Sequence, residues 1–98
     1  MSPSSSLSRT AVPARDCVLD RVRQIVAELA GIPSSQIEEG QTLLGDLAFD
    51  SLEVVECSME IEEQFGITVP DELVGQARTV GDVVDGVLLL LAKPPADD

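Results

Sequence analysis

The chain has 98 residues, enough for one small domain, with 18 acidic and 6 basic side chains, a net charge of −12 and no histidine. That length allows a modest core but no deep catalytic cleft on a separate scaffold, and the charge disfavours binding to nucleic acid or an anionic membrane. Although 44% of the residues are hydrophobic, only Phe49 and Phe65 are aromatic. The core is therefore aliphatic, which suits helices packed on helices.

Residues 1–15 are rich in Ser and Pro, lack periodicity and read as a disordered tail. They contain no apolar run of the kind a secretory signal needs, and Met1 fits a free-standing protein. Asp16 can open a first helix, in which Val18, Leu19, Val22, Ile25, Val26 and Leu29 recur at three- and four-residue steps. Gly31 stops it and Pro33 bars continuation. Residues 31–50 form a long loop, tacked down by Ile32, Ile37, Leu43, Leu44 and Leu47, with a turn or short helix at residues 34–37. A loop of this length in a small domain is usually functional.

A second helix spans residues 51–65. Asp50 caps it, and Glu53 reaches back to the Asp50 amide to complete a capping box. Ser51 then occupies the first helical position with its hydroxyl outward. Val54, Cys57, Ile61 and Phe65 face inward, leaving Leu52, Val55 and Met59 at the boundary or outside, flanked by Glu53, Glu56, Glu60, Glu62 and Glu63. The pattern alone fits either a docking surface for a basic partner with an apolar centre or a solvated face above an ordinary core stripe. Gly66 ends the helix. A short third helix covers residues 71–76, with Asp71 and Glu72 suited to its N-terminal dipole. Thr79 and Asp82 form a second capping box for a fourth helix, which Pro94-Pro95 bar from continuing into the disordered tail, residues 93–98. The longest apolar run, residues 87–92, is too short for a membrane span, so the chain is expected to be cytoplasmic.

Autonomous catalysis finds no support in these residues. Without histidine there is no Ser-His or Cys-His pair. There is no phosphate-binding glycine loop, and Cys17 and Cys57 lack zinc-site spacing. Both cysteines read as small core residues in a reducing compartment. The clustered glutamates have no loop to shape a metal cage. A serine without a base can nonetheless be another enzyme's substrate.

Gly45-Asp46-Leu47, Asp50-Ser51-Leu52, Glu53-Val54-Val55-Glu56, Met59, residues 61–67 and Val69-Pro70-Asp71-Glu72 together resemble the acyl carrier protein family, over about residues 16–92. The resemblance implies an all-α four-helix bundle, with three longer helices, one short one and a long first loop. It implies a carrier that is not an enzyme. Ser51 would bear a 4′-phosphopantetheine arm from coenzyme A, attached by a Mg²⁺-dependent phosphopantetheinyl transferase, with Asp50 and Leu52 as its signature neighbours. The arm would hold acyl thioesters for an acyl-loading enzyme, a ketosynthase and other enzymes of fatty-acid or polyketide biosynthesis. Glu53, Glu56, Glu62, Glu63, Asp71 and Glu72 match acidic docking positions, and Leu52, Val55 and Met59 match their apolar centre. The expected state is a monomer. A peptidyl or aminoacyl carrier of the same fold, or an unmodified acidic interaction module, are the alternatives. Departures from the pattern are Ala48 where glycine is common, the bulky Phe49 beside the arm, Ser58 and Glu60 in place of apolar residues, and Ala77 for a larger aliphatic. These fit a carrier dedicated to a polyketide or other specialised chain.

Overall fold

The computed structural model describes residues 14–92. Both terminal segments read above as tails, including Pro94-Pro95, lie outside them apart from Ala14 and Arg15. Four α-helices follow one another: α1 (Arg15–Ala30), α2 (Ser51–Phe65), α3 (Asp71–Gln76) and α4 (Val80–Ala92). Among the described residues there is no β-strand, and the expected all-α bundle is what forms. No helix among the described residues is long and apolar enough to cross a membrane.

α1 packs against both α2 and α4, and α3 lies against α2. The α1 stripe delivers Val18, Val22, Ile25, Val26 and Ala27 to the core, where they meet Cys57 and Ile61 from α2 and Val80, Val84 and Val87 from α4. Each large aliphatic buried in this way contributes about 1.5–3 kcal/mol. Val54 and Phe65 pack at the edge of this core. α1 and α2 both stop where Gly31 and Gly66 turn left-handed, at φ 75° and 68°. α1 begins at Arg15, one residue ahead of Asp16, and Ala14 at its N-cap makes no side-chain cap. Asp16 is confined to the first turn.

The first loop is ordered by its own buried residues. Ile37, Leu43 and Phe49 are core, Ile32 and Leu47 pack against it, and a 3₁₀ turn covers Ser34–Gln36. Leu44, expected to help pin the loop, is exposed instead. The middle of the loop is stitched to the start of α4. The Leu43 N–H donates to Arg78 O (2.9 Å), the Val80 N–H to Gln41 O (3.0 Å) and the Gly81 N–H to Glu39 O (2.9 Å). With the Thr79–Asp82 capping box in place, the otherwise unpaired N–H groups of the α4 start find acceptors. The Arg78 and Thr79 N–H groups hold the Asp82 carboxyl below its usual range.

Two further sequence expectations are corrected. Cys17 is exposed, and only Cys57 is core. Burial, with the Glu60 charge adding to it, pushes the Cys57 thiol up to about 11, so it stays neutral and unreactive at neutral pH. Phe49 does not stand beside Ser51 as a surface obstacle: it is 4% exposed and belongs to the core.

Candidate functional site at the start of helix α2

Three local devices build the turn that presents Ser51. Thr42 and Asp46 bond reciprocally: the Thr42 N–H donates to Asp46 Oδ2 (2.9 Å) and the Asp46 N–H donates to Thr42 Oγ1 (2.8 Å). Gly45 passes close to this pair, and a Cβ there would sit 2.6 Å from Thr42 Oγ1, so a larger residue would drive the hydroxyl off its bond. Phe49 anchors the segment from inside, its N–H donating to Leu43 O (2.8 Å). Then Asp50 and Glu53 close the capping box. Asp50 Oδ1 accepts from the Glu53 N–H (2.8 Å) and Glu53 Oε1 accepts from the Asp50 N–H (3.0 Å).

Ser51 is exposed and is the first residue of α2. Its hydroxyl takes no part in the cap, which its two neighbours complete without it. The Glu53 N–H is used by Asp50, and the Val54 N–H donates to Asp50 O. The Ser51 and Leu52 N–H groups therefore remain as the helix-start donors available to an anion attached at Ser51.

Along α2, the hundred-degree step per residue brings Leu52, Val55, Glu56, Met59 and Glu63 to one side. Leu52, Val55 and Met59 are 64%, 46% and 58% exposed, and Glu56 and Glu63 are exposed beside them. The other acidic positions expected on this face divide. Glu53 is half-buried and closes the capping box. Glu62 is half-buried and accepts the Val69 N–H at 2.8 Å, sewing the segment after α2 back onto the helix. Asp71 and Glu72 are exposed in the first turn of α3. Leu44, which the sequence reading placed inside, is a further exposed apolar residue on the loop leading to Ser51.

Behind α2 lies a feature that periodicity could not reveal. A cavity of about 280 Å³ opens between α2, α3 and α4, walled chiefly by aliphatic residues including Val54, Ile61, Leu73, Val83, Val87 and Leu90. Val54 is only about 4.5 Å further along the helix axis than Ser51, so the serine stands near one end of an apolar chamber. Its α3 wall is six residues long, contains Gly75 and has no buried residue of its own, which makes it the weakest of the four helices.

The family model described as "Phosphopantetheine attachment site" matches residues 20–87. The acyl carrier protein of Acidothermus cellulolyticus is 39% identical over 72 residues, which is 74% of this chain and 86% of that protein. Among solved structures, an acyl carrier protein from Enterococcus faecalis superposes with a TM-score of 0.68 at 31% identity, covering 80% of this chain and 99% of that one. An apo doublet acyl carrier protein from prodigiosin biosynthesis gives a TM-score of 0.66 at 25% identity, over 84% of this chain and 41% of the doublet.

Proposed function

The chain belongs to the acyl carrier protein family, whose members are carriers and not catalysts, and from that premise we propose that Ser51 Oγ is the atom to which a phosphopantetheinyl transferase joins 4′-phosphopantetheine. The arm then holds acyl groups as thioesters on its terminal thiol and takes them between the enzymes of fatty-acid or polyketide biosynthesis in the cytoplasm. The observation that carries this reading is an exposed serine hydroxyl at the first turn of a helix whose cap is already closed by Asp50 and Glu53.

The residues at hand fit the group. The phosphate would lie against the Ser51 and Leu52 N–H groups and the positive end of the α2 dipole, which offsets repulsion from Asp46, Asp50 and Glu53. The exposed Leu52, Val55 and Met59, with Glu56 and Glu63 beside them, supply the partner surface: an apolar centre with an acidic rim for enzymes carrying basic patches. Asp71 and Glu72 extend it onto α3. The cavity between α2, α3 and α4 supports a second part of the reading, that an apolar cargo folds back from the arm into the bundle and is hidden from water.

Incubation with coenzyme A, Mg²⁺ and a promiscuous phosphopantetheinyl transferase tests the attachment. Intact mass should rise by one phosphopantetheine in the wild type and stay unchanged in Ser51→Ala. A wild type that acquires no mass favours an unmodified interaction module.

A further inference from the structure

Gly86 stands midway along α4, where glycine is the weakest helix former after proline. The other glycine of that helix has a packing reason: a Cβ on Gly81 would come within 3.3 Å of Glu39 O. Gly86 has no such reason, because a Cβ there meets no atom within 4 Å. What borders it is the cavity behind α2.

The polar side chains on the cavity wall are largely occupied elsewhere. The Ser58 hydroxyl donates to Val55 O at 2.7 Å. Asp82 accepts the Arg78 and Thr79 N–H groups, and Asp85 accepts from the Arg15 guanidinium. The surface left facing the space is mainly hydrocarbon, with the Gln76 amide at an exposed position on the edge.

From this, and resting on the carrier reading above, we infer that Gly86 is a specificity-determining residue: the side chain it lacks is the room that sets how much aliphatic acyl chain the carrier can shelter. The capacity is bounded by volume. A cavity of 280 Å³ is nearly twice the roughly 150 Å³ that accommodates benzene, which corresponds to roughly ten carbons. The chain it suits is fully reduced, because a ketone carried past the Gln76 amide at the edge meets a mainly hydrocarbon wall and loses its hydration without replacement.

The test uses the holo-protein loaded with straight-chain acyl groups from acetyl to tetradecanoyl, and reads the rate at which hydroxylamine cleaves each thioester. In the wild type, protection should grow by up to about fourfold per sheltered methylene and level off at roughly ten carbons. Gly86→Leu should level off several carbons sooner with the acetyl form unchanged, and Gly86→Ala should fall between. A 3-oxo chain of equal length should be cleaved faster than its saturated counterpart. Circular dichroism checks the fold of both variants, and the alanine variant decides if the leucine variant does not fold. Superposing curves for wild type and variants overturn the role of Gly86, as does a wild type without chain-length dependence. Equal protection of the 3-oxo chain overturns the preference for reduced cargo. A wild type that takes no arm at all, seen by mass before any loading, overturns the carrier reading itself and is thereby told apart from a failure at Gly86.

Discussion

Ala48 holds its backbone at φ 58°, alone among the described non-glycine residues in having positive φ. An L side chain in that region costs roughly 1–2 kcal/mol, and the family resemblance puts glycine at this position in many bacterial carriers. Ala48→Gly should relieve the strain, at the expense of a more disordered unfolded chain. The net expectation is a stabilisation of roughly 0.5–1 kcal/mol, or a Tm higher by roughly 2–8 °C. A melting temperature that falls instead would mean that the turn carries no Cβ strain. Phe49, next in the chain, shows why this turn was hard to read from residues alone. The same bulky side chain is an obstacle if it points outward and an anchor if it points inward. Nothing local decides between them: its burial comes with the shared core it joins, to which α1, α2 and α4 contribute. Leu44 and Cys17 misled in the opposite sense, since an apolar side chain in a loop or near a helix start has no partner guaranteed by its own neighbours.

Helix α2 was legible almost to the residue because its boundaries are written locally. The capping box at Asp50 and Glu53 and the left-handed stop at Gly66 need no tertiary partner to operate. α3 between Pro70 and Gln76 follows from the same kind of signal. What the spacing could not separate was which glutamates are free. Glu62 looks equivalent to Glu63 in sequence, yet its carboxylate is engaged by the Val69 N–H, seven residues away. That distinction leaves Glu56 and Glu63 as the exposed carboxylates that α2 contributes to the proposed partner surface. Reversing both, Glu56→Lys with Glu63→Lys, should lower kcat/KM of a basic partner enzyme by roughly tenfold or more at low ionic strength. The deficit should shrink as salt rises, since at 0.1 M the Debye length is about 10 Å. Glu62→Gln should instead lower thermal stability and leave the salt dependence of partner turnover in place. An unchanged rate for the doubly reversed protein would remove the acidic rim from the recognition of partners.

With a net charge of −12, the folded molecule works against its own repulsion, and its few cations matter through where they are placed. Arg15 is the clearest case. From the first turn of α1 it reaches Glu39 in the long loop (2.8 Å) and Asp85 on α4 (3.0 Å), joining three segments that are distant in sequence. No local pattern announces a pairing across seventy positions, which is why the bundle was legible from its stripes while this clasp was not. Its pH dependence has a definite sign. The Arg15 hydrogen bond holds the Glu39 carboxyl below its ordinary value of 4.5, so the stability gained is present in full above 4.5 and is lost as pH falls through the lowered folded value. The Arg15 guanidinium, raised by the Glu39 and Asp85 bonds, keeps its charge throughout. Arg15→Ala should therefore melt slightly below the wild type at pH 7, by a few degrees at most because the pairs are exposed. The two melting curves should draw together once the pH drops below 4.5. Asp82, whose folded value is likewise lowered by backbone N–H groups, should drive further acid destabilisation in both proteins alike. Thermal melts of the pair from pH 7 to pH 3 separate the contributions: a gap between wild type and Arg15→Ala that stays constant through acid would assign the effect of Arg15 to packing of its alkyl stem and not to its charge.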